Sequence, residues 1–276
     1  MRKGRERVIL RSLRAARAYA ALWYGLVSLA AGCLAWGVLA LPLRVLLPER
    51  QGRALGRTAI SAGFRAYLWG LQIVGAVRLD LRALDELRGA GPLILAPNHP
   101  SLLDAVMLLS RLPQASCVLK APLTDGWLFG AGARLARYIR NDSPLDMVRR
   151  SVLELRGGGQ LLLFPEGTRT TRLPVNPFRG AIALIAREAR APVQTVFIEA
   201  DSAFLGKDWP ISRRPRLPLR YRVRLGRRFE PPADAHAFVR ELEQYFAREI
   251  VGPQTSAAPA AEARHGRPAG VESRPA

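Results

Sequence analysis

A long apolar run lies near the amino end of the chain. Residues 18–43, AYAALWYGLVSLAAGCLAWGVLALPL, contain no charged side chain, and Arg14, Arg17, Arg44 and Arg50 flank them. A helix of about 20 apolar residues is long enough to cross the hydrocarbon core of a bilayer. The pattern therefore predicts a membrane-inserted helix within a basic N-terminal part that covers residues 1–58.

Two other interpretations of this run stay open. A basic start before an apolar stretch is also typical of a secretory signal, but the run continues well beyond Cys33, where cleavage would fall. Arginines on both flanks indicate no orientation, so a hairpin that stays on one side of the membrane also fits. Residues 57–77 mix apolar and basic side chains, which predicts a helix with a stripe facing membrane or core.

Beyond about residue 76 the chain alternates short apolar runs with helical patterns, which is typical of an α/β domain. The predicted strands are residues 77–81, 92–96, 116–119, 160–164, 193–200 and 217–225. The predicted helices are residues 102–112, 125–138, 145–156, 179–190 and 234–251. We expect this domain to cover residues 59–251, and residues 252–276, rich in Ala, Pro, Gly, Ser and Arg, to form a disordered tail.

The charge balance is strongly basic, with 42 Lys and Arg against 22 Asp and Glu and a net charge of +20. Such a charge indicates an anionic partner, either a phospholipid surface or nucleic acid, and charge alone does not choose between them. The two cysteines, Cys33 and Cys117, lie far apart and without a CxxC spacing, which suggests neither a disulfide framework nor a zinc site.

The stretch APNHPSLLDAV places His99 and Asp104 where a buried strand gives way to a helix. A structural role explains part of it, because Ser101 can cap the helix and Asp104 can return a hydrogen bond to the cap backbone. It does not explain His99, which lies at the end of a strand, where α/β proteins commonly bind ligands. If Asp104 accepts a bond from one ring nitrogen, the other is left basic, so the pair is a candidate general base and orienting carboxylate.

A second polar stretch, FPEGTR, follows the predicted strand at residues 160–164. Gly167 permits close backbone approach, Thr168 offers a hydroxyl, and Arg169 presents a planar fork suited to phosphate. Glu166 completes the loop, which we interpret as a site for an anionic group. A polar turn with an incidental Glu-Arg pair is the structural alternative.

Together the two stretches resemble the NHxxxxD and FPEGTR blocks of the glycerolipid acyltransferases, typified by 1-acyl-sn-glycerol-3-phosphate acyltransferase. The resemblance covers roughly residues 60–230. Lys120 and Arg140 stand where this family carries basic residues between the blocks. The sequence YIRN around Arg140 departs from the family's commoner pattern, which leaves the acceptor open. The fold implied is α/β, a mixed sheet flanked by helices and preceded by N-terminal membrane-associated helices.

The resemblance implies an enzyme that transfers a fatty acyl group from acyl-CoA or acyl carrier protein to the free hydroxyl of a lysophospholipid. The expected product is phosphatidate, made from 1-acylglycerol 3-phosphate. His99 would be the general base and Asp104 would stabilise its imidazolium. Gly167, Thr168, Arg169, Lys120 and Arg140 would serve the acceptor phosphate, while Glu166 would orient the loop or a substrate hydroxyl.

No metal or cofactor is expected, and the partners expected are the acyl donor, the lysophospholipid and membrane phospholipid, not nucleic acid. The location implied is the cell inner membrane, with the catalytic domain facing the cytoplasm. One alternative keeps the chemistry and changes the acceptor to a lyso-ornithine lipid or another specialised lysolipid. The other alternative is a non-catalytic membrane protein that binds anionic lipid.

Overall fold

A computed structural model describes residues 2–126, 129–210 and 212–251, so the predicted tail lies outside the described residues. The helices are α1 Arg2–Leu46, α2 Glu49–Ile73, α3 Asp104–Arg111, α4 Ala121–Asp125, α5 Gly130–Leu135, α6 Pro144–Arg156, α7 Ala181–Ala189 and α8 Ala235–Val251. The strands are β1 Val77–Asp80, β2 Leu93–Pro97, β3 Ala115–Leu119, β4 Ile139–Arg140, β5 Gln160–Leu162, β6 Val193–Ala200 and β7 Leu219–Phe229. A 3₁₀ helix, Arg82–Leu87, follows β1.

The described strands form one sheet in the order β1-β7-β6-β2-β5-β3-β4. Strands β6, β2, β5, β3 and β4 run parallel to one another, whereas β7 is antiparallel to β6 and parallel to β1. The sheet is therefore mixed, as expected. The carboxyl ends of five strands meet at one edge, which is where α/β sheets bind ligands.

Helices cover both faces of the sheet, because the strands bury apolar side chains on either side. One face packs α1, α2 and α3 against residues such as Leu95, Leu162 and Ile198. The other packs α6, α7 and α8 against residues such as Ile94 and Phe197. Alternate residues of a strand point to opposite faces, so neighbouring apolar positions such as 94 and 95 serve the two cores separately.

Most predicted elements are observed, with two instructive differences. β6 has the predicted ends, and α6 begins one residue earlier than predicted. The helix predicted over residues 125–138 is observed as the shorter α5, whereas α4 precedes it and shares only Asp125 with the predicted range. Glycines at 126 and 130 lower helix propensity in this part of the chain. The two-residue strand β4 was not predicted, since so short a run carries no periodic signal.

Helix α1 is 45 residues long, or about 68 Å at 1.5 Å per residue. By length and composition it contains a candidate membrane span, Arg11–Leu46. In the most apolar 18-residue window of this span, 11% of the residues are buried inside the protein. The helix contacts the rest of the protein at two separate levels: Gly25 lies against Leu71 of α2, and Trp36 covers Gly132 of α5. Large apolar side chains remain exposed along α1, among them Trp23, Val27, Leu34, Val38, Leu39 and Val45.

Helix α2 has one apolar face packed in the core, as one of the two predictions for it had it, and other apolar side chains exposed. Leu68 and Leu71 are buried, whereas Trp69 and Ile73 are exposed. The boundary predicted between residues 58 and 59 falls inside this helix.

A buried arginine fastens α2 to the domain. The Arg57 side chain is 4% exposed and donates to Glu154 of α6 at 2.7 and 3.0 Å through its two terminal nitrogens. Its Nε also donates to the carbonyl of Ala136 at 3.0 Å, just after α5. The charged groups of a buried ion pair need hydrogen-bond partners for their remaining polar atoms, because an unpaired buried charge is costly in free energy.

Close packing of α2 on α5 predicts that Gly56→Ala destabilises the protein. A Cβ at Gly56 would lie 2.7 Å from the Ala136 backbone nitrogen and 2.8 Å from its Cα, so the helices must separate. We expect a loss of about 1–3 kcal/mol, measured by thermal unfolding in detergent. The matched control is Gly63→Ala in the same helix, which has open space around it and should gain up to about 1 kcal/mol. Equal effects of the two changes would contradict this packing argument.

Candidate active site

His99 and Asp104 meet at the carboxyl end of β2. The His99 Nδ1 atom lies 2.8 Å from Asp104 Oδ2, and the His99 side chain is 17% exposed whereas that of Asp104 is fully buried. A carboxylate only accepts hydrogen bonds, so the proton belongs on Nδ1 and Nε2 keeps its lone pair. The arrangement can remove a proton from a group brought to Nε2.

Asp104 also closes the turn before α3. Its Oδ2 accepts from the backbone nitrogen of Ser101 at 2.7 Å, the returning bond expected of a capping residue. The helix begins at Asp104, two residues later than predicted, because residues 101–103 form a turn. One carboxylate oxygen thus serves both the fold and the histidine.

The charge state of Asp104 is set by opposing effects. Burial raises the pKa of its carboxyl, while the hydrogen bonds from His99 and Ser101 act in the opposite direction. Within the described residues no donor reaches Oδ1, although that atom is buried.

Glu166 braces the turn that carries His99. Its side chain is 1% exposed, and Oε1 accepts from the His99 backbone nitrogen at 3.1 Å and from Thr170 Oγ1 at 2.7 Å. Oε2 accepts from the Asn176 backbone nitrogen at 2.9 Å. The carboxylate therefore orients the loop, which was one of the two roles considered for it.

Two neighbours of His99 were not predicted from sequence. The Phe164 ring stacks on the imidazole with centroids 3.9 Å apart. The Asn98 amide pairs with β6, because its Oδ1 accepts from the Ile198 nitrogen at 2.7 Å and its Nδ2 donates to the Ile198 carbonyl at 3.1 Å. Asn98 and Phe164 are the first residues of the two motifs, which was the available sign of their importance. Their contacts were not predicted, because the residues they touch lie far away in the sequence.

The rest of the FPEGTR loop follows β5 at the same edge. Gly167 has φ +68°, a left-handed conformation that favours glycine. Thr168 is half-buried, and Arg169 donates from Nη1 to the carbonyls of Leu205 and Gly206 at 2.8 and 2.9 Å. Arg169 thereby fixes the β6–β7 loop, residues 201–218, a contact that sequence did not indicate.

The two basic residues between the motifs lie further along the same edge. Lys120 is exposed directly after β3, and Arg140 ends β4. Arg140 forms surface ion pairs with Asp125 and, at 2.8 Å, with Asp142. The structure thus brings His99, Asp104 and Glu166 into direct contact and leaves Lys120 and Arg140 outside that network.

A tyrosine lies beneath the His99 turn. Ser101 Oγ donates to the Phe204 carbonyl at 3.0 Å and lies 3.4 Å from the Tyr221 hydroxyl. Burial raises the pKa of Tyr221 to about 12, so the phenol stays neutral at physiological pH and is no rival base. Among residues 2–126, 129–210 and 212–251, no group of three His, Cys, Asp or Glu side chains is arranged to hold a metal ion.

Comparison with known proteins places this geometry in a family. The family model described as Acyltransferase matches residues 78–199. A lyso-ornithine lipid O-acyltransferase from Pseudomonas aeruginosa is 32% identical over 228 residues, which is 77% of this chain and 80% of that protein. The chain belongs to the acyltransferase family.

Two further acyltransferases agree with this placement. A 1-acyl-sn-glycerol-3-phosphate acyltransferase from the same organism is 27% identical over 230 residues, or 81% of this chain and 85% of that protein. The crystal structure of the 1-acyl-sn-glycerophosphate acyltransferase PlsC from Thermotoga maritima matches with a TM-score of 0.63 at 16% identity, covering 86% of this chain and 96% of that one. The last match establishes the shared fold, and the two relatives from Pseudomonas aeruginosa confirm that this acyltransferase is an enzyme of lipid biosynthesis.

Proposed function

We propose that this acyltransferase moves a fatty acyl group from acyl-CoA or acyl carrier protein to the free hydroxyl of a lysophospholipid, with 1-acylglycerol 3-phosphate as acceptor and phosphatidate as product. The observation that carries the proposal is the 2.8 Å contact between His99 Nδ1 and Asp104 Oδ2 at the carboxyl edge of the sheet. It supplies an oriented base at the place where two substrates can meet.

The proposed reaction is a direct transfer. His99 Nε2 takes the proton of the acceptor hydroxyl as its oxygen attacks the thioester carbonyl. The new C–O bond forms, the C–S bond breaks, and the imidazolium returns its proton to the departing thiolate. General-base catalysis of this kind contributes about a hundredfold to ten-thousandfold. Asp104 stabilises the imidazolium between the two proton transfers.

An acyl-enzyme intermediate has little support from the cysteines. Cys117 is buried in β3, and burial raises the pKa of its thiol to about 12, so it carries no thiolate at neutral pH. The attacking oxygen therefore comes from the acceptor.

Basic side chains at the sheet edge support a phosphate-bearing acceptor. Lys120 follows β3 and Arg140 is the last residue of β4, and the carboxyl ends of both strands point to the same edge as His99. Arg169 uses only Nη1 for the β6–β7 loop carbonyls, and a guanidinium has five N–H donors, so others can serve a phosphate. Gly167 and Thr168 complete this side of the proposed acceptor site.

A lyso-ornithine lipid is the second candidate acceptor. The relative named lyso-ornithine lipid O-acyltransferase is 32% identical to this chain, whereas the relative named 1-acyl-sn-glycerol-3-phosphate acyltransferase is 27% identical. Asp125 and Asp142 also partly neutralise Arg140, which weakens its attraction for phosphate. Under this alternative the chemistry at His99 is unchanged and the phosphate requirement disappears.

The proposed location is the cell inner membrane, with the catalytic domain on the cytoplasmic side, where the thioester donors are. Contacts of α1 with α2 and with α5, at two separate levels, favour a helix that lies along the domain over one that crosses the bilayer by itself. Exposed apolar residues on α1 and α2 would then enter the same leaflet.

Removal of His99 should abolish transfer. We expect His99→Ala to lower kcat/KM by about a hundredfold to ten-thousandfold with either lysolipid, because the base is lost. The matched control is His236→Ala, on the exposed surface of α8, which should keep wild-type activity. The assay offers lysophosphatidate and lyso-ornithine lipid separately, with a labelled acyl donor. Equal product from His99→Ala and wild type would exclude the base, whereas wild-type product from lyso-ornithine lipid alone would select the second candidate.

The membrane arrangement predicts which tryptophans touch lipid. In variants that retain one tryptophan, Trp23 on α1 and Trp69 on α2, which are 57% and 65% exposed, should both be quenched by brominated phospholipid. A tryptophan introduced as Leu153→Trp on α6, at the opposite face of the sheet, is the control and should not be quenched. Quenching of Trp23 without Trp69 would contradict a shared leaflet and favour a helix that crosses the bilayer alone.

A further inference from the structure

A cavity of about 690 Å³ opens beside the catalytic turn. Its lining includes Asn98 and Pro100, the residues on either side of His99. Thr170, residues of the β6–β7 loop and Ile250 near the end of α8 also line it. The volume falls within the range of about 300–1,000 Å³ typical of small-molecule and cofactor sites.

The cavity lies on the opposite side of His99 from Lys120 and Arg140, the two strand-end cations of the proposed acceptor site. The sheet order β6-β2-β5-β3-β4 places the cavity at β6, with Lys120 and Arg140 at β3 and β4. Three strand spacings separate β6 from β3, or about 14 Å. Two substrates that react at one base need separate binding places, and the cavity lies beside the His99 turn on the side away from Lys120 and Arg140.

The chemistry of the walls is mixed. Leu173 and Pro174 are apolar, whereas Ser202 and Thr171 are polar. Such walls suit an extended chain that carries both methyl groups and amides.

The cavity lining includes exposed cations. These are Lys207 and Arg213, and the Arg213 guanidinium lies 4.7 Å from the centre of the Trp209 ring. Arg224 also lines the cavity but is paired with Glu199 and Glu249 at 2.8 and 2.9 Å. The three cations of the lining stand against two lining carboxylates, Glu199 and Asp208, which leaves a formal charge of +1 that suits a phosphate.

The cavity wall is attached to the catalytic turn. Besides the two bonds from Arg169, Ser101 Oγ donates to the Phe204 carbonyl at 3.0 Å, and the Leu102 nitrogen donates to the Leu205 carbonyl at 3.1 Å. The β6–β7 loop is therefore held in one position relative to His99. A ligand in the cavity would meet a pre-formed wall, which lowers the cost of binding.

We propose that this cavity receives the phosphopantetheine arm of the thioester donor, with the phosphate of the arm at Lys207 and Arg213 and the thioester at the Asn98–Pro100 end. The inference rests on the proposed function for the identity of the donor as a thioester. The arm and its phosphate are common to acyl-CoA and acyl carrier protein, so the site recognises the chemistry that the two donors share.

Steady-state kinetics of a Lys207→Gln/Arg213→Gln double variant tests the site. We expect the KM for the donor to rise about tenfold or more, because each tenfold corresponds to about 1.4 kcal/mol of lost binding. The kcat and the KM for the lysolipid should stay within about twofold of wild type. The control is Arg228→Gln, an exposed arginine of β7 that does not line the cavity. A donor KM unchanged with both acyl-CoA and acyl carrier protein would overturn the proposal, and a rise with one of them identifies the donor served.

Direct binding separates this inference from the proposed function. Calorimetry with CoA and with holo acyl carrier protein needs no acceptor and no turnover. If neither lysolipid is acylated but the double variant binds either probe about tenfold more weakly than wild type, the cavity assignment stands and the acceptor assignment falls. If wild type transfers acyl groups and the double variant binds both probes as tightly as wild type, the cavity assignment alone is wrong.

Discussion

The hydrogen bond between the buried Asp104 carboxylate and His99 is the interaction on which the rest of the site depends. The same oxygen holds the Ser101 backbone nitrogen, so the turn that starts α3 and the orientation of the imidazole cannot be separated. Phe164 and Glu166 then restrict the histidine from two further sides, through ring stacking and through its backbone nitrogen. A base held by several independent contacts loses little freedom when substrate arrives.

The mixed sheet explains how one such base can serve two substrates. Five strands end at a common edge, and His99 follows β2, the second of these five and the middle strand of the seven described. The proposed acceptor side extends over β5, β3 and β4, and the proposed donor side extends over β6 and the loop that follows it. Arg169 connects the two sides, because it stands in the FPEGTR loop and bonds to the β6–β7 loop. Helices α1 and α2 pack on one face of this sheet.

The sequence predicted the local parts of this arrangement and missed the long-range ones. His99 and Asp104 are five residues apart, so a turn at Pro100 was enough to predict their contact. Both ends of strand β6 were predicted correctly. Its eight apolar or alternating positions are bounded by Pro192 and Asp201, which leaves little choice for where the strand begins and ends. By contrast, Asn98 meets Ile198 and Arg169 meets Leu205 across 100 and 36 positions, and periodicity carries no information about such pairs. The cavity was missed for the same reason, because its walls come from distant segments.

In the proposed mechanism Asp104 acts on catalysis through His99, and a double-mutant cycle is the sharpest test of that coupling. The kcat/KM for acyl transfer would be compared among wild type, His99→Ala, Asp104→Asn and the double variant, each confirmed to be folded by its thermal transition. If the two residues act as one unit, the double variant should be no slower than His99→Ala alone. The contrary result is a kcat/KM of the double variant that is reduced by the product of the two single reductions. Asp104 would then have a role independent of the histidine, and the proposed coupling would be wrong.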